Sequence, residues 1–269
     1  MTALLELTEV SQTFRTGHGR RAQTIPALDR VSLRVGEGEV VGLVGESGSG
    51  KSTLARVICG LQPCDAGEVR FAGSVLGFRR SKSERRAIQL VFQDPYASLD
   101  PRMTIRQTLA EVLTVHRIVE GKAARQRCCE LLDQVQLPAS LLDARPGGMS
   151  GGQRQRVAIA RALAVDPQLL VADEAVAALD VSVQAGIVNL LDDLRTDLGL
   201  TILFIAHDLA VVRSVCERVA VIYQGVIVED RPAAELFADP ADDYTKKLLS
   251  AVPRLDGRRT SSAGGDYSR

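Results

Sequence analysis

Charge of either sign is missing as an excess: 33 Lys and Arg stand against 33 Asp and Glu, which leaves a formal net charge of zero across 269 residues. A surface that wraps nucleic acid carries a basic surplus, so this balance argues against nucleic acid as a partner. Long apolar runs are missing too, since none exceeds about seven residues where a membrane-spanning helix needs roughly 20. The opening Met1-Thr2-Ala3-Leu4-Leu5-Glu6 has no basic start and no long apolar stretch, so no secretory signal is read there. A membrane role would then be that of a peripheral partner. Paired cysteines are the third absence. Cys59, Cys64, Cys128, Cys129 and Cys216 form an odd set without a C-x-x-C spacing, against both a disulfide framework and structural zinc. They read as free thiols of a reducing compartment, with Cys128-Cys129 as helix residues of which one is buried.

What is present fits a folded globular chain. Hydrophobic content of 45% and charged content of 25% are average, and the length allows one large domain or two small ones. Short β-branched runs alternate with helical periods, the pattern of an α/β domain. Strands are expected at Val31 to Val35, Glu39 to Val44, Gly67 to Phe71, Ile88 to Phe92, Leu169 to Ala172, Thr201 to Ala206, Arg218 to Tyr223 and Val226 to Glu229. Apolar faces at helical spacing gather Ile105, Leu109, Val112 and Leu113, then Leu131, Leu132 and Val135, then Ile187, Leu190, Leu191 and Leu194. From about Asp94 to Ala164 three helices and no strand are expected, as a helical insertion in a mixed domain. The segment beyond residue 253 is rich in Gly, Ser and Arg and reads as a flexible tail, 254–269. The basic run Arg79-Arg80-Ser81-Lys82-Ser83-Glu84-Arg85-Arg86 reads as a solvated loop in preference to a contact with anionic lipid or a partner.

The strongest chemical signal is Gly45-Glu46-Ser47-Gly48-Ser49-Gly50-Lys51-Ser52-Thr53, which satisfies G-x-x-x-x-G-K-[ST] directly after an expected strand. The glycines let successive N–H groups turn toward phosphates, and the following helix points its positive end at the anion. Lys51 can reach the β- and γ-phosphates and Ser52 can ligate Mg²⁺. A nucleotide site also needs a second metal ligand and a base. Leu169-Leu170-Val171-Ala172-Asp173-Glu174 supplies both: Asp173 at the strand end for the metal, and Glu174 to polarise the attacking water. Gln93 and His207 are isolated polar residues just after two other strands, able to reach Mg²⁺, water or the γ-phosphate. His18 and His116 have no such placement. Met149-Ser150-Gly151-Gly152-Gln153-Arg154-Gln155-Arg156 opens another helix on glycines, a second anion site for which one nucleotide has no use. A head-to-tail pair of subunits, each offering this helix end to the nucleotide of the other, resolves the surplus.

With these residues in order, the chain resembles the ATP-binding subunits of ABC transporters over nearly its whole length. The phosphate loop Gly45 to Thr53, Q-loop Gln93, signature Ser150-Gly151-Gly152-Gln153, Asp173-Glu174, D-loop Ala178-Leu179-Asp180 and switch His207 follow the family's sequence. The resemblance implies an α/β, P-loop NTPase (RecA-like) core with an antiparallel β subdomain and an inserted α-helical signature subdomain at about 94–164, together spanning 1–253. It implies ATP and Mg²⁺ as cofactors and a sandwich of two ATPases around two ATP molecules. It also implies two membrane permease subunits, a solute-binding protein served indirectly, and a place at the cytoplasmic face of the membrane. Phe14 falls where an aromatic stacks on adenine; Asp180 would act across the dimer, and Ser150, Gly151, Gly152 and Gln153 would face the partner's nucleotide. Gln93 would join Ser52 and Asp173 at the metal, and His207 would bind the γ-phosphate.

The extended Q-loop Val91-Phe92-Gln93-Asp94-Pro95-Tyr96-Ala97-Ser98-Leu99-Asp100-Pro101-Arg102-Met103 looks like that of importers for oligopeptides, dipeptides and nickel, where it lines the groove that receives the permease's coupling helix. Leu179 to Ala185 and Tyr244 to Pro253 look like the same branch. Ala175-Val176 replace the commoner Pro-Thr, a variant similar to some nickel-system subunits and some peptide ones, and Met149 stands where Leu is usual. A peptide importer ATPase is the leading expectation and a nickel importer the alternative. A soluble ABC protein would carry two nucleotide domains or a coiled-coil insertion, and a small-molecule kinase leaves the signature and D-loop without use.

Overall fold

The computed structural model describes residues 3–16, 23–94, 98–119, 121–177 and 179–251. The expected tail, 254–269, lies outside them, as do Pro95, Tyr96 and Ala97 of the Q-loop and Ala178 of the D-loop.

Two sheets organise the chain. The first is antiparallel, in the order β2 (Gln23–Gly36), β1 (Ala3–Thr16), β4 (Ala66–Phe71), β5 (Ser74–Val75). The second runs β10 (Val226–Pro232), β9 (Arg218–Tyr223), β3 (Val40–Val44), β8 (Thr201–Ala206), β7 (Leu169–Asp173), β6 (Ile88–Val91). All its pairs are parallel except β9 with β10. The inner strands β3, β7 and β8 are buried along their whole length because both faces are covered. Val41, Leu43, Val171, Leu203 and Ile205 pack toward the antiparallel sheet and α1 (Lys51–Ile58). Their neighbours Val40, Val44, Ala172, Phe204 and Ala206 pack toward the helices of the other face.

Those helices include α3 (Ile105–Val115), α4 (Lys122–Gln134) and α5 (Gly151–Leu163), with two short 3-10 turns before α5. Each expected apolar face is inward: Ile105, Leu109 and Leu113, Leu131 with Leu132 and Val135, and Ile187, Leu190, Leu191 and Leu194 on α6 (Val181–Leu198). Val112 packs against the same core from a half-buried position. The chain closes with α7 (Leu209–Val215), α8 (Ala233–Ala238) and α9 (Asp243–Ser250). Among the described residues no helix is long and apolar enough to cross a membrane. The five cysteines are free; Cys128 is buried and Cys129 half-buried.

Three expectations need correction. The strand β1 was not expected, and β2 begins eight residues before Val31. Each strand carries a bulge that reverses its alternation. Leu5 and Leu7 are buried at odd positions, but the register slips at Glu9, with φ 48°, so that Val10 and Gln12 are buried at even ones. Arg30, also with φ 48°, does the same in β2 between Leu28 and Val31. Hydroxyls repair both bulges: Ser32 Oγ accepts from the Glu9 N–H at 3.0 Å and Ser11 Oγ from the Arg30 N–H at 2.9 Å. The two-residue β5 is exposed and too short to carry an alternation. The basic run is not a solvated loop. Ser81 and Glu84 form a capping box for α2 (Lys82–Ala87), and Arg80 is buried, its guanidinium donating to the Val57 and Ile58 carbonyls at the end of α1.

Candidate nucleotide site

Parallel pairing aligns the C-terminal ends of β3, β8, β7 and β6 along one edge, where open α/β sheets present ligands. Val44 pairs with Ala206, Asp173 with Ile205, and Val91 with Ala172. Gly45, His207, Asp173 with Glu174, and Gln93 therefore stand side by side although up to 162 positions separate them in the chain. His207 and Gln93 are exposed there.

The phosphate loop bridges β3 and α1. A Cβ on Gly45 would sit 2.2 Å from the Ile222 carbonyl oxygen, so the sheet admits only glycine. Gly50 caps α1 with φ 111° and no side-chain hydrogen bond, leaving the first turn of N–H groups open toward an anion. Gly48, Glu46 and Ser47 are exposed, whereas Ser49 is buried with its hydroxyl lacking a partner among the described residues. Lys51 is buried and its Nζ donates to the carbonyls of Gly45 at 2.7 Å and Glu46 at 2.9 Å. Burial pulls its ammonium below the ordinary pKa, and the charges of Glu174 and Asp173 pull it back. Thr53 is half-buried in the same first turn.

Asp173 accepts from Ser52 Oγ at 3.2 Å. Burial holds its carboxyl above the usual range, while that hydrogen bond and the Arg56 and Lys51 charges act downward. Glu174 sits at φ 48° with its N–H on the Ile205 carbonyl at 2.9 Å, a left-handed conformation that costs about 1–3 kcal/mol. Nucleotide and Mg²⁺ fit these residues. The unpartnered Ser49 hydroxyl and the open end of α1 suit phosphate oxygens, and the hard oxygens of Ser52 and Asp173 suit a cation held jointly with phosphate.

The signature forms a second group at the start of α5. Ser150 is exposed and caps α5 in a box with Gln153, each side chain accepting from the other's backbone N–H at 3.2 and 3.0 Å. Arg154 is buried and donates to the Pro146 carbonyl at 3.2 Å and to that of Met149. Met149 is itself buried. A Cβ on Gly151 would meet Leu179 Cδ2 at 3.2 Å and one on Gly152 would meet Val183 Cγ1 at 2.5 Å, so the signature packs tightly on the D-loop and the start of α6. Asp180 is exposed at the N-cap of α6. The structure thus brings Lys51, Ser52, Asp173 and Glu174 together in one group, and the signature and D-loop in another.

Phe14 is 39% exposed near the end of β1, opposite Ile25. Asp65 pins the strand there, accepting from Thr13 N–H and Thr13 Oγ1 at 2.7 Å each, and these bonds hold its carboxyl below the usual range. Sequence reasoning assigned no role to Asp65, to Arg80, or to Tyr244, whose hydroxyl accepts from the Glu46 N–H of the phosphate loop at 3.0 Å. Each acts through a partner distant in sequence, which no local motif signals.

The comparisons with known proteins agree with this geometry. The family model "ABC transporter" matches residues 28–177. The oligopeptide transport ATP-binding protein OppF of Bacillus subtilis is 48% identical over 258 residues, covering 94% of this chain and 83% of that one. A dimeric ATP-binding cassette solved in a post-hydrolysis state with ADP and Pi superposes with a TM-score of 0.75 at 32% identity, over 85% of this chain and 98% of the other. CbiO1 of Clostridium perfringens, part of the transporter complex cbiONQ, gives 0.77 at 26% identity over 95% and 98%. A phosphate loop with its Asp-Glu strand, a capped signature helix and this degree of likeness together make the chain a member of the ABC transporter family of ATP-binding proteins.

Proposed function

We propose that this chain is the ATP-hydrolysing, energy-coupling subunit of an importer for peptides. The observation that carries the proposal is the convergence of Lys51, Ser52, Asp173 and Glu174 at the end of β7, joined to an open helix N-terminus. Peptides are preferred to nickel as cargo because the relative with 48% identity is named for oligopeptide transport.

Ser52 Oγ and the Asp173 carboxylate, with Gln93, would hold Mg²⁺. When bound, that ion neutralises charge developing on the phosphoryl oxygens. The N–H groups from Gly48 to Thr53 hold the phosphates, Lys51 presents its ammonium to the β- and γ-phosphates, and Phe14 offers a ring to the adenine. Glu174 takes a proton from water as the water oxygen bonds to the γ-phosphorus and the bridging P–O bond breaks, leaving ADP and phosphate. His207 holds the γ-phosphate in line. A second ATPase subunit, a copy or a paralogue, would be arranged head to tail, so that its Ser150, Gly151, Gly152 and Gln153 and its Asp180 complete this site. The self-capped and exposed Ser150 supports that reading, since its hydroxyl lies at a surface.

Two permease subunits would engage a groove of about 510 Å³ between the end of α1, β6, α3 and α5, lined by Leu61, Phe92, Val112, His116 and Arg161. Leu61 is 57% and Phe92 43% exposed there, apolar surface suited to a permease's coupling helix. Through these subunits a solute-binding protein would be served, with the chain on the cytoplasmic face of the membrane.

Glu174→Gln tests the chemistry. It should bind ATP as wild type does and lose turnover by about 10²–10⁴-fold, the range for removing a general base. Near-normal hydrolysis would remove Glu174 from that role.

A further inference from the structure

We propose that Tyr244 is a positioning residue of the phosphate loop, through which the C-terminal helix α9 sets the affinity for nucleotide. The inference rests on the reading of Gly45 to Thr53 as the ATP site and deepens it.

The Glu46 backbone is held at both its N–H and its carbonyl. Its carbonyl accepts from Lys51 Nζ at 2.9 Å, and its N–H donates to the Tyr244 hydroxyl at 3.0 Å, from a residue 198 positions away. That hydroxyl is itself fixed. The Tyr244 ring stacks on Tyr223 with centroids 4.1 Å apart and planes at 29°. Tyr223 ends β9, and the turn that follows it also touches the loop, Gly225 N–H donating to the Ser49 carbonyl at 2.9 Å.

The start of α9 is anchored as firmly. The buried Glu229 carboxylate of β10 accepts from the Ala241 N–H at 2.9 Å and the Asp242 N–H at 3.0 Å. Asp242 then caps α9, accepting from the Tyr244 N–H at 2.8 Å. Thr245, next to Tyr244, is fully buried. A continuous chain of bonds therefore runs from β10 through the helix start to the phosphate loop.

Its consequence follows from what the loop must do. Successive N–H groups have to converge on phosphate oxygens, and a loop already held in that shape loses less freedom on binding. Glu46 and Ser47 are exposed, and the Tyr244 hydroxyl restrains that exposed portion. The phenol bonds to the Glu46 N–H, whereas Ser52 bonds to Asp173 and the Glu174 N–H to Ile205, so its effect belongs to nucleotide binding and not to the chemical step.

The test is equilibrium binding of Mg-ATP and steady-state hydrolysis by purified wild type, Tyr244→Phe, Tyr223→Phe and Lys51→Ala. Tyr244→Phe keeps the stacked ring and removes only the hydroxyl. It should raise the Kd and the KM for ATP by about 2- to 12-fold, the worth of one neutral hydrogen bond, while kcat stays at the wild-type value. Tyr223→Phe, whose hydroxyl accepts from Gln224 and not from the loop, should bind ATP like wild type. Unchanged affinity in Tyr244→Phe beside lost affinity in Lys51→Ala would overturn the role of Tyr244 and leave the ATP site standing. Equal weakening in both tyrosine variants would overturn it, because the loss would then not follow the hydroxyl bonded to Glu46. Wild-type ATP affinity in Lys51→Ala would bring down the site reading and this inference with it.

Discussion

Arg80 illustrates what a single side chain contributes away from the chemistry. Its aliphatic stem covers Gly60, where a Cβ would meet Arg80 Cγ at 2.6 Å, and its guanidinium donates to the Ile58 carbonyl at 3.1 Å and the Val57 carbonyl at 3.3 Å. These are the last carbonyls of the helix that begins at Lys51, so the cation sits at the negative end of the dipole whose positive end faces the phosphate loop. Burial lowers the Arg80 pKa from its ordinary value, and charged hydrogen bonds offset the cost of taking it out of water. Arg80→Met fills similar space without the bonds. It should lower the unfolding free energy by about 1–3 kcal/mol, read from the denaturant midpoint at unchanged slope. An unmoved midpoint would mean that the hydrogen bonds only balance desolvation. Glu174 and Lys51 belong to the same scale. Both were identifiable in sequence because their motifs are contiguous and chemically constrained. Arg80 was not, since a charge run says nothing about which of its members turns inward.

At the scale of elements, the strands of the parallel sheet were legible because they are buried on both faces and read as unbroken apolar runs. Thr201–Ala206 and Arg218–Tyr223 match expectation at both ends. The antiparallel hairpin was legible only after Arg30, because the bulges at Glu9 and Arg30 shift the buried side from one parity to the other and erase the alternation. The tie between α9 and the phosphate loop lay beyond sequence reading for a different reason: it is one hydrogen bond across 198 residues. The anchor of that helix also predicts a pH response. Burial raises the Glu229 pKa, but the Ala241 and Asp242 N–H groups outweigh it and hold the carboxyl below its ordinary 4.5. A carboxyl whose folded pKa is depressed adds stability that is fully present above the unfolded value and is lost as pH falls through the folded one. The melting temperature of Glu229→Gln should therefore lie below that of wild type at neutral pH, with the gap closing below about pH 4.5. A gap constant across that window would show that the charge of Glu229 is irrelevant to the anchor.

At the scale of the molecule, the motifs fall into two groups within one chain: the phosphate loop with Asp173 and Glu174, and the signature packed on Leu179 and Val183 next to Asp180. Under the proposed head-to-tail pairing a single subunit would hold half of each composite site, the reading to which the surplus of glycine-rich helix starts points. The cargo was not readable in the same way. The nucleotide site is built to hold phosphate and metal, so its residues carry no signal for the transported solute. The decisive measurement is uptake of labelled di- and oligopeptides, with nickel ion in parallel, by cells lacking this subunit and complemented with wild type or Glu174→Gln. Loss of peptide uptake, restored by wild type and not by Glu174→Gln, is the expected result; peptide uptake that persists without the subunit while nickel uptake disappears would contradict it.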